Sequence, residues 1–171
     1  GTLRDIKVYR DGKNVASIDV YDLLLKGNSK GNILLSDNDI IVVGPYDALV
    51  EIRGKVKRPM FYEMKKNESL STVLNYSGGF TGDAYKKNLR VTRKNGMEYS
   101  IHTVGEFDWS GFTMTDGDSV YVDSVIPRYS NMVEVRGAVF HSGMYQMDGN
   151  INTVRELVQA AEGLREDAFT A

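Results

Sequence analysis

Residues 50–64 read VEIRGKVKRPMFYEM, and residues 133–147 read VEVRGAVFHSGMYQM. The stretches lie 83 residues apart and agree at seven of fifteen positions, which marks an internal repeat. In the first copy Val50, Ile52, Gly54 and Val56 alternate with Glu51, Arg53, Lys55 and Lys57, the period of a strand with one wet face. Val133, Val135, Gly137 and Val139 keep that period in the second copy. Lys-Arg-Pro at 57–59 and Phe-His-Ser-Gly at 140–143 supply turn chemistry, and Met-Phe-Tyr-Glu-Met then returns, so each copy is predicted to be a hairpin.

Downstream of the hairpin, Leu70, Val73, Leu74 and Ser77 fall on one face of a short helix. Ser69 is its predicted N-cap, and Gly78-Gly79 its left-handed stop. At a shift of 84 the same positions are Val154, Leu157, Val158 and Ala161, and there Thr153 and Glu156 have capping-box spacing. Asn95-Gly96 between residues 89–93 and 98–103 predicts a second hairpin, and a last strand over 119–123 is entered from Thr-Asp-Gly-Asp.

A second correspondence ties the start of the chain to its middle. Val8, Arg10, Ser17 and Ile18 match Val91, Arg93, Ser100 and Ile101, Val20 and Gly27 match Val104 and Gly111, and SDNDIIVV (36–43) matches TDGDSVYV (115–122). The 171 residues therefore divide into the last half of a unit (1–47), a complete unit (48–126) and the first half of a third (127–171). Hairpin, helix, hairpin and strand in about 80 residues predict an α+β fold of tandem β-grasp units, each a mixed sheet with one short helix. So short a helix needs the sheet to hold it. Because Arg4 and Ala171 both match Lys87 in repeat phase, the two half-units are expected either to complete each other between chains, as a swapped dimer or head-to-tail assembly, or to stand as frayed or self-capped ends.

The pattern V-x-I-x-G-x-V-x-x-P-x-x-Y, a helix ending S-G-G, Ala84, R-x-N-G and D-G-D-x-V-x-V resembles the SLBB domain, the soluble ligand-binding β-grasp module. Tandem copies are typical of outer-membrane polysaccharide export proteins of the capsule translocon (Wza) type. The resemblance implies a structural and transport module at the periplasmic face of the bacterial outer membrane, oligomeric through its β-grasp units. Its partners would be a polysaccharide, anionic in one version, and the inner-membrane export machinery. The alternative is a small-solute or carbohydrate-binding module with no transport role.

Composition agrees with a globular chain: 42% hydrophobic and 26% charged, with 21 basic against 23 acidic residues, which argues against a nucleic-acid partner. No apolar run is long enough to span a bilayer, the opening Gly-Thr-Leu-Arg-Asp lacks the regions of a signal peptide, and this stretch is expected to be soluble. The absence of cysteine excludes thiolate chemistry. His102 and His141 lie in different elements with no partners at ligand spacing, and no nucleophile motif or phosphate loop is present. Asp37-Asn38-Asp39 and Asp116-Gly117-Asp118 read as turns and not as calcium loops, and Ser77 to Gly82 as a helix stop and not a phosphate cradle. No catalytic residue, metal or cofactor is expected. The candidate carbohydrate contacts are Lys55, Lys57 and Arg58 on the first hairpin, Lys86, Lys87, Arg90 and Arg93 on the second, and Trp109 as a stacking platform. A solvated basic face is the competing reading of those cations.

Overall fold

The structure, a computed structural model, describes residues 1–169. Thr170 and Ala171, and with them the repeat-phase match of Ala171, lie outside the described residues. The chain divides into two units, Gly1–Val125 and Ile126–Ala171. The first partial repeat and the complete repeat thus share one unit, and the last partial repeat forms the other.

In the first unit, β1 (Ile6–Arg10), β2 (Lys13–Ile18) and β3 (Ile40–Val43) form a three-stranded antiparallel sheet in the order β2-β1-β3. Between β2 and β3 lies α1 (Val20–Lys26), which sequence reading did not anticipate. Its signals were present. The Asp19 carboxylate accepts from the Tyr21 and Asp22 amides at the N-cap, and Gly27 closes the helix in the left-handed region. The aligned Val104 instead lies in a strand.

The complete repeat builds a five-stranded mixed sheet from β4 (Ala48–Gly54), β5 (Met60–Met64), β6 (Asn88–Asn95), β7 (Glu98–Gly105) and β8 (Ser119–Val122), in the order β5-β4-β8-β6-β7. β4 and β8 run parallel, and the other neighbours antiparallel. α2 (Leu70–Tyr76) closes one face, as the spacing of its apolar residues predicts. Leu70, Val73 and Leu74 pack in one cluster with Val50, Ile52, Leu89, Val91, Val120 and Val122. Each such side chain contributes roughly 1.5–3 kcal/mol on burial, which is what holds a two-turn helix. Ser69 occupies the N-cap, but its hydroxyl makes no cap bond. The turn after β7 serves instead: the Leu70 and Ser71 amides donate to the carbonyls of Phe112 and Trp109. Gly54 sits at φ 87° where β4 leaves the sheet, and a Cβ there would collide with the Val122 carbonyl.

The second unit holds β9 (Met132–Val135), β10 (Gly143–Gln146) and α3 (Val154–Ala160). Its local bonding repeats that of β4, β5 and α2. Val133 faces Tyr145 as Val50 faces Tyr62. Tyr145 donates to the His141 carbonyl as Tyr62 donates to that of Arg58. The His141 amide bonds the Ala161 carbonyl as the Arg58 amide bonds that of Ser77. The predicted capping box of Thr153 and Glu156 is formed.

Candidate functional site

The loop following α2 gathers five of the eight predicted contacts. Strand pairing of Val56 with Phe80, and amide bonds from Lys57 to Gly79 and from Thr81 to Lys55, fold residues 77–83 against the end of β4. Lys55 pairs with Asp83 at 2.7 Å, and the Arg58 guanidinium donates to the Tyr76 carbonyl at 3.0 Å. Lys86 sits over the Phe80 ring, and Phe80 packs against Trp109 at 5.4 Å between centroids. Lys55, Lys57, Arg58, Lys86, Phe80 and Trp109 thus border one basic and aromatic loop. Trp109 is half-buried against the core, and its indole N–H finds no acceptor among the described residues. Lys57 and Lys87 make no ion pair among the described residues.

Arg90 and Arg93, two of the three remaining cations, stand apart from the loop and from each other. Arg90 and Arg93 are three positions apart, so pleating points them to opposite faces of β6. Arg90 lies on the outer face over Tyr121, with both oxygens of Asp123 at 3.1 Å. Arg93 makes a two-pronged pair with Asp118 at 2.9 and 2.7 Å, and that carboxylate is fully buried. Arg10 and Asp39, the aligned residues of the first repeat, make the same pair at 2.8 and 2.8 Å. Even the accompanying amides match, Ser36 to Asp39 and Thr115 to Asp118, each at 2.8 Å. The two Asp-containing turns are therefore built on an internal Arg–Asp clasp. The Arg10 hydrogen bonds, with the Ser36 amide, hold the Asp39 carboxyl at about 2.

A second constellation carries no periodic signal. Arg4, almost wholly buried, donates to both oxygens of Asp19 and both of Glu68, to the Glu63 carbonyl and to the Tyr76 hydroxyl. Its guanidinium lies 4.6 Å from the Tyr21 ring centre and 5.1 Å from that of Tyr76. Lys65 reaches Asp19 at 2.7 Å, and Tyr76 donates to Glu68 at 2.9 Å. Burial opposes every charge here. The hydrogen bonds from Lys65 and Arg4 nonetheless draw the Asp19 carboxyl below its ordinary value, and those from Arg4 and the Lys65 amide do the same for Glu68. Burial raises the Tyr76 hydroxyl despite the Arg4 charge, and Glu68 pushes it higher. The network ties the first partial repeat to the complete one. Beside it opens a cleft of about 400 Å³ whose lining includes Arg4, Asp5, Asp47, Glu63, Lys65 and Lys66.

A mixed sheet packed on a single short helix defines a β-grasp-like α+β module. The SLBB domain model matches residues 49–102, from the start of β4 into β7, and the chain carries an SLBB domain there. That domain is a ligand-binding module typical of polysaccharide export proteins. No curated protein matches the chain. No helix among the described residues is long and apolar enough to cross a membrane.

Proposed function

We propose that the chain is a periplasmic module of a capsule or exopolysaccharide export protein at the bacterial outer membrane. There it packs into an oligomeric conduit that works with inner-membrane export machinery. The observation that carries this reading is the SLBB match inside a chain whose remaining sequence repeats the same unit. The work is passive: shape, hydration and modest electrostatics guide a glycan, and no bond is made or broken. The loop bordered by Lys55, Lys57, Arg58 and Lys86 is the glycan-facing surface, with Phe80 and Trp109 beneath it as the apolar floor. Lys57 and Lys87, which carry no ion pair among the described residues, retain their charge for an anionic chain. Arg93 serves the fold, since its guanidinium is committed to Asp118.

A glycan array read beside a small-ligand thermal-shift screen tests the proposal. Binding of acidic polysaccharide that falls with salt and with Lys57→Ala and Lys87→Ala supports it. A single small solute raising the melting temperature by many degrees, with no glycan bound, would favour the solute-binding module instead.

A further inference from the structure

The sheet of the complete repeat ends on two unlike edges, β5 and β7. β5 is covered: its Glu63 amide donates to the Tyr21 hydroxyl, and its Glu63 carbonyl accepts from Arg4. β7 is bare. The Glu106 amide donates to the Lys87 carbonyl, which sets the alternation of the β6–β7 ladder. Ser100 and His102 therefore bond inward to β6, whereas Tyr99, Ile101 and Thr103 turn their backbone groups to the free edge. None of those amides or carbonyls finds a partner among the described residues.

The devices that keep an edge from pairing are missing here. Residues 97–105, MEYSIHTVG, contain no lysine, arginine or proline, and the pairing from Asn88–Gly105 to Asn95–Glu98 runs without a bulge. The β2 edge differs, since it opens on Lys13 and a bulge interrupts its pairing with β1. Val104 points into the core, so Tyr99 and Ile101 lie on the face away from α2, where they are 72% and 70% exposed.

An antiparallel second copy of β7 fits this edge best in one register. With Ser100 on the two-fold axis, Tyr99 of each chain lies opposite Ile101 of the other, and their backbone groups exchange hydrogen bonds. An aromatic ring against a β-branched side chain is a favourable cross-strand pair. On the other face Glu98 lies opposite His102 of the second copy, a carboxylate across from an imidazole, and Ser100 meets Ser100. No like charges face each other. Moving the axis to Ile101 keeps the backbone bonds but sets Tyr99 against Thr103 and the Glu98 carboxylate against the buried Val104.

We propose that β7 is a two-fold interface, at which two copies of the chain pair antiparallel about Ser100 and join their five-stranded sheets into one. The edge lies wholly inside the complete repeat. The contact is isologous and consumes the edge, so it closes at two copies. It is independent of the glycan reading, and Ile101→Lys should leave glycan binding unchanged.

Sedimentation of the full chain over a range of concentrations is expected to show association. Ile101→Lys, at an exposed site, should keep the melting curve and weaken association by about 10-fold or more, since each pair of chains loses both Tyr99–Ile101 contacts and gains a lysine on each edge. The chain has no cysteine, so single cysteines report the register. Ser100→Cys should give a disulfide-linked dimer on mild oxidation, because residue 100 faces its own copy in a closely spaced, non-hydrogen-bonded pair. Ile101→Cys, though more exposed, should link far less, since its own copy lies two residues along the partner strand. A chain that stays monomeric, association indifferent to Ile101→Lys, or linkage that favours Ile101→Cys over Ser100→Cys overturns the proposal. So does a monomer whose Tyr99 and Ile101 amides are protected from hydrogen exchange by an unrelated Thr-Val peptide, which would give the edge to a foreign strand.

Discussion

The hairpin β4–β5 and the hairpin β9–β10 have the same register, the same Tyr-to-carbonyl bond and the same closure onto the helix end, yet they differ in burial. Val50, Ile52 and Tyr62 are buried, while Val133, Val135 and Tyr145 are only half-buried. Local sequence is thus sufficient for the hairpin, its turn and its capped helix. In the complete repeat that burial comes from packing with β6 and β8. The sharpest way to break this comparison is at its shared glycine. Gly54→Val sets a branched side chain against the Val122 carbonyl at a left-handed φ, and should cost more than about 4 kcal/mol and unfold the complete repeat. Gly137→Val meets no neighbouring atom and pays only backbone strain, about 1–2 kcal/mol. Thermal melts of the two variants followed by circular dichroism check the ratio. Equal losses would mean that the repeat, and not its packing, governs the glycine.

The second contrast lies at the junctions. Glu63, Glu68 and Tyr76, which meet Arg4, align with Gln146, Asn152 and Ala160, so the network has no counterpart in the last repeat. Arg4→Met should cost about 3–5 kcal/mol by leaving Glu68 and Tyr76 buried without their donor, read as a lowered urea midpoint of the first unit. The same network fixes an acid response. Asp19 and Glu68 titrate below their ordinary 3.8 and 4.5, so the native state holds their charge more firmly than the unfolded chain does. Their stabilisation is complete above about pH 4.5 and is lost as the pH falls through the lowered values. In Arg4→Met the urea midpoint should vary less over that interval. An unchanged acid profile would sink the assignment.

A smaller effect separates the two Arg–Asp clasps. Arg93→Ala strands the fully buried Asp118 and should destabilise by about 2–4 kcal/mol, whereas Arg10→Ala, at a more exposed clasp, should cost less. Urea denaturation of both variants checks the order. Both clasps explain why part of the site was illegible in sequence. A period-2 or period-3.6 pattern reports which face is apolar, and it placed the hairpins, α2, α3 and β8 correctly. Arg93 looked like any other cation in a basic run because its partner, Asp118, lies across the sheet, and the matching Arg10 and Asp39 were seen as repeat positions without being paired. Arg4 was harder still, since its partners are 15, 64 and 72 residues away and none recurs. Tertiary contact between repeats leaves no local period. α1 was a different kind of miss: Asp19 and Gly27 are ordinary caps, but the complete repeat has no helix at the aligned positions, so the comparison between repeats gave no hint of one.

The finest contrast is at the helix ends. Gly78 holds φ 77° after α2, and the aligned Glu162 holds φ 61° after α3, a conformation that costs a side-chain-bearing residue about 1 kcal/mol. Glu162 keeps one exposed contact, to His141 at 3.1 Å, which at such exposure offsets little of that strain. Glu162→Gly should therefore stabilise the second unit by up to about 1 kcal/mol, part of the gain being returned as unfolded-state entropy. The reverse change, Gly78→Glu, should destabilise by about 1 kcal/mol through its left-handed φ, since a Cβ at residue 78 would meet the Arg58 guanidinium only at ordinary van der Waals distance. Hydrogen exchange of the Ala161 and Gly163 amides reads the first effect directly, since both close the end of α3. Slower exchange in Glu162→Gly is expected. Unchanged exchange would mean that the left-handed stop is set by the hairpin bonds from Phe140 and His141 and carries no strain of its own.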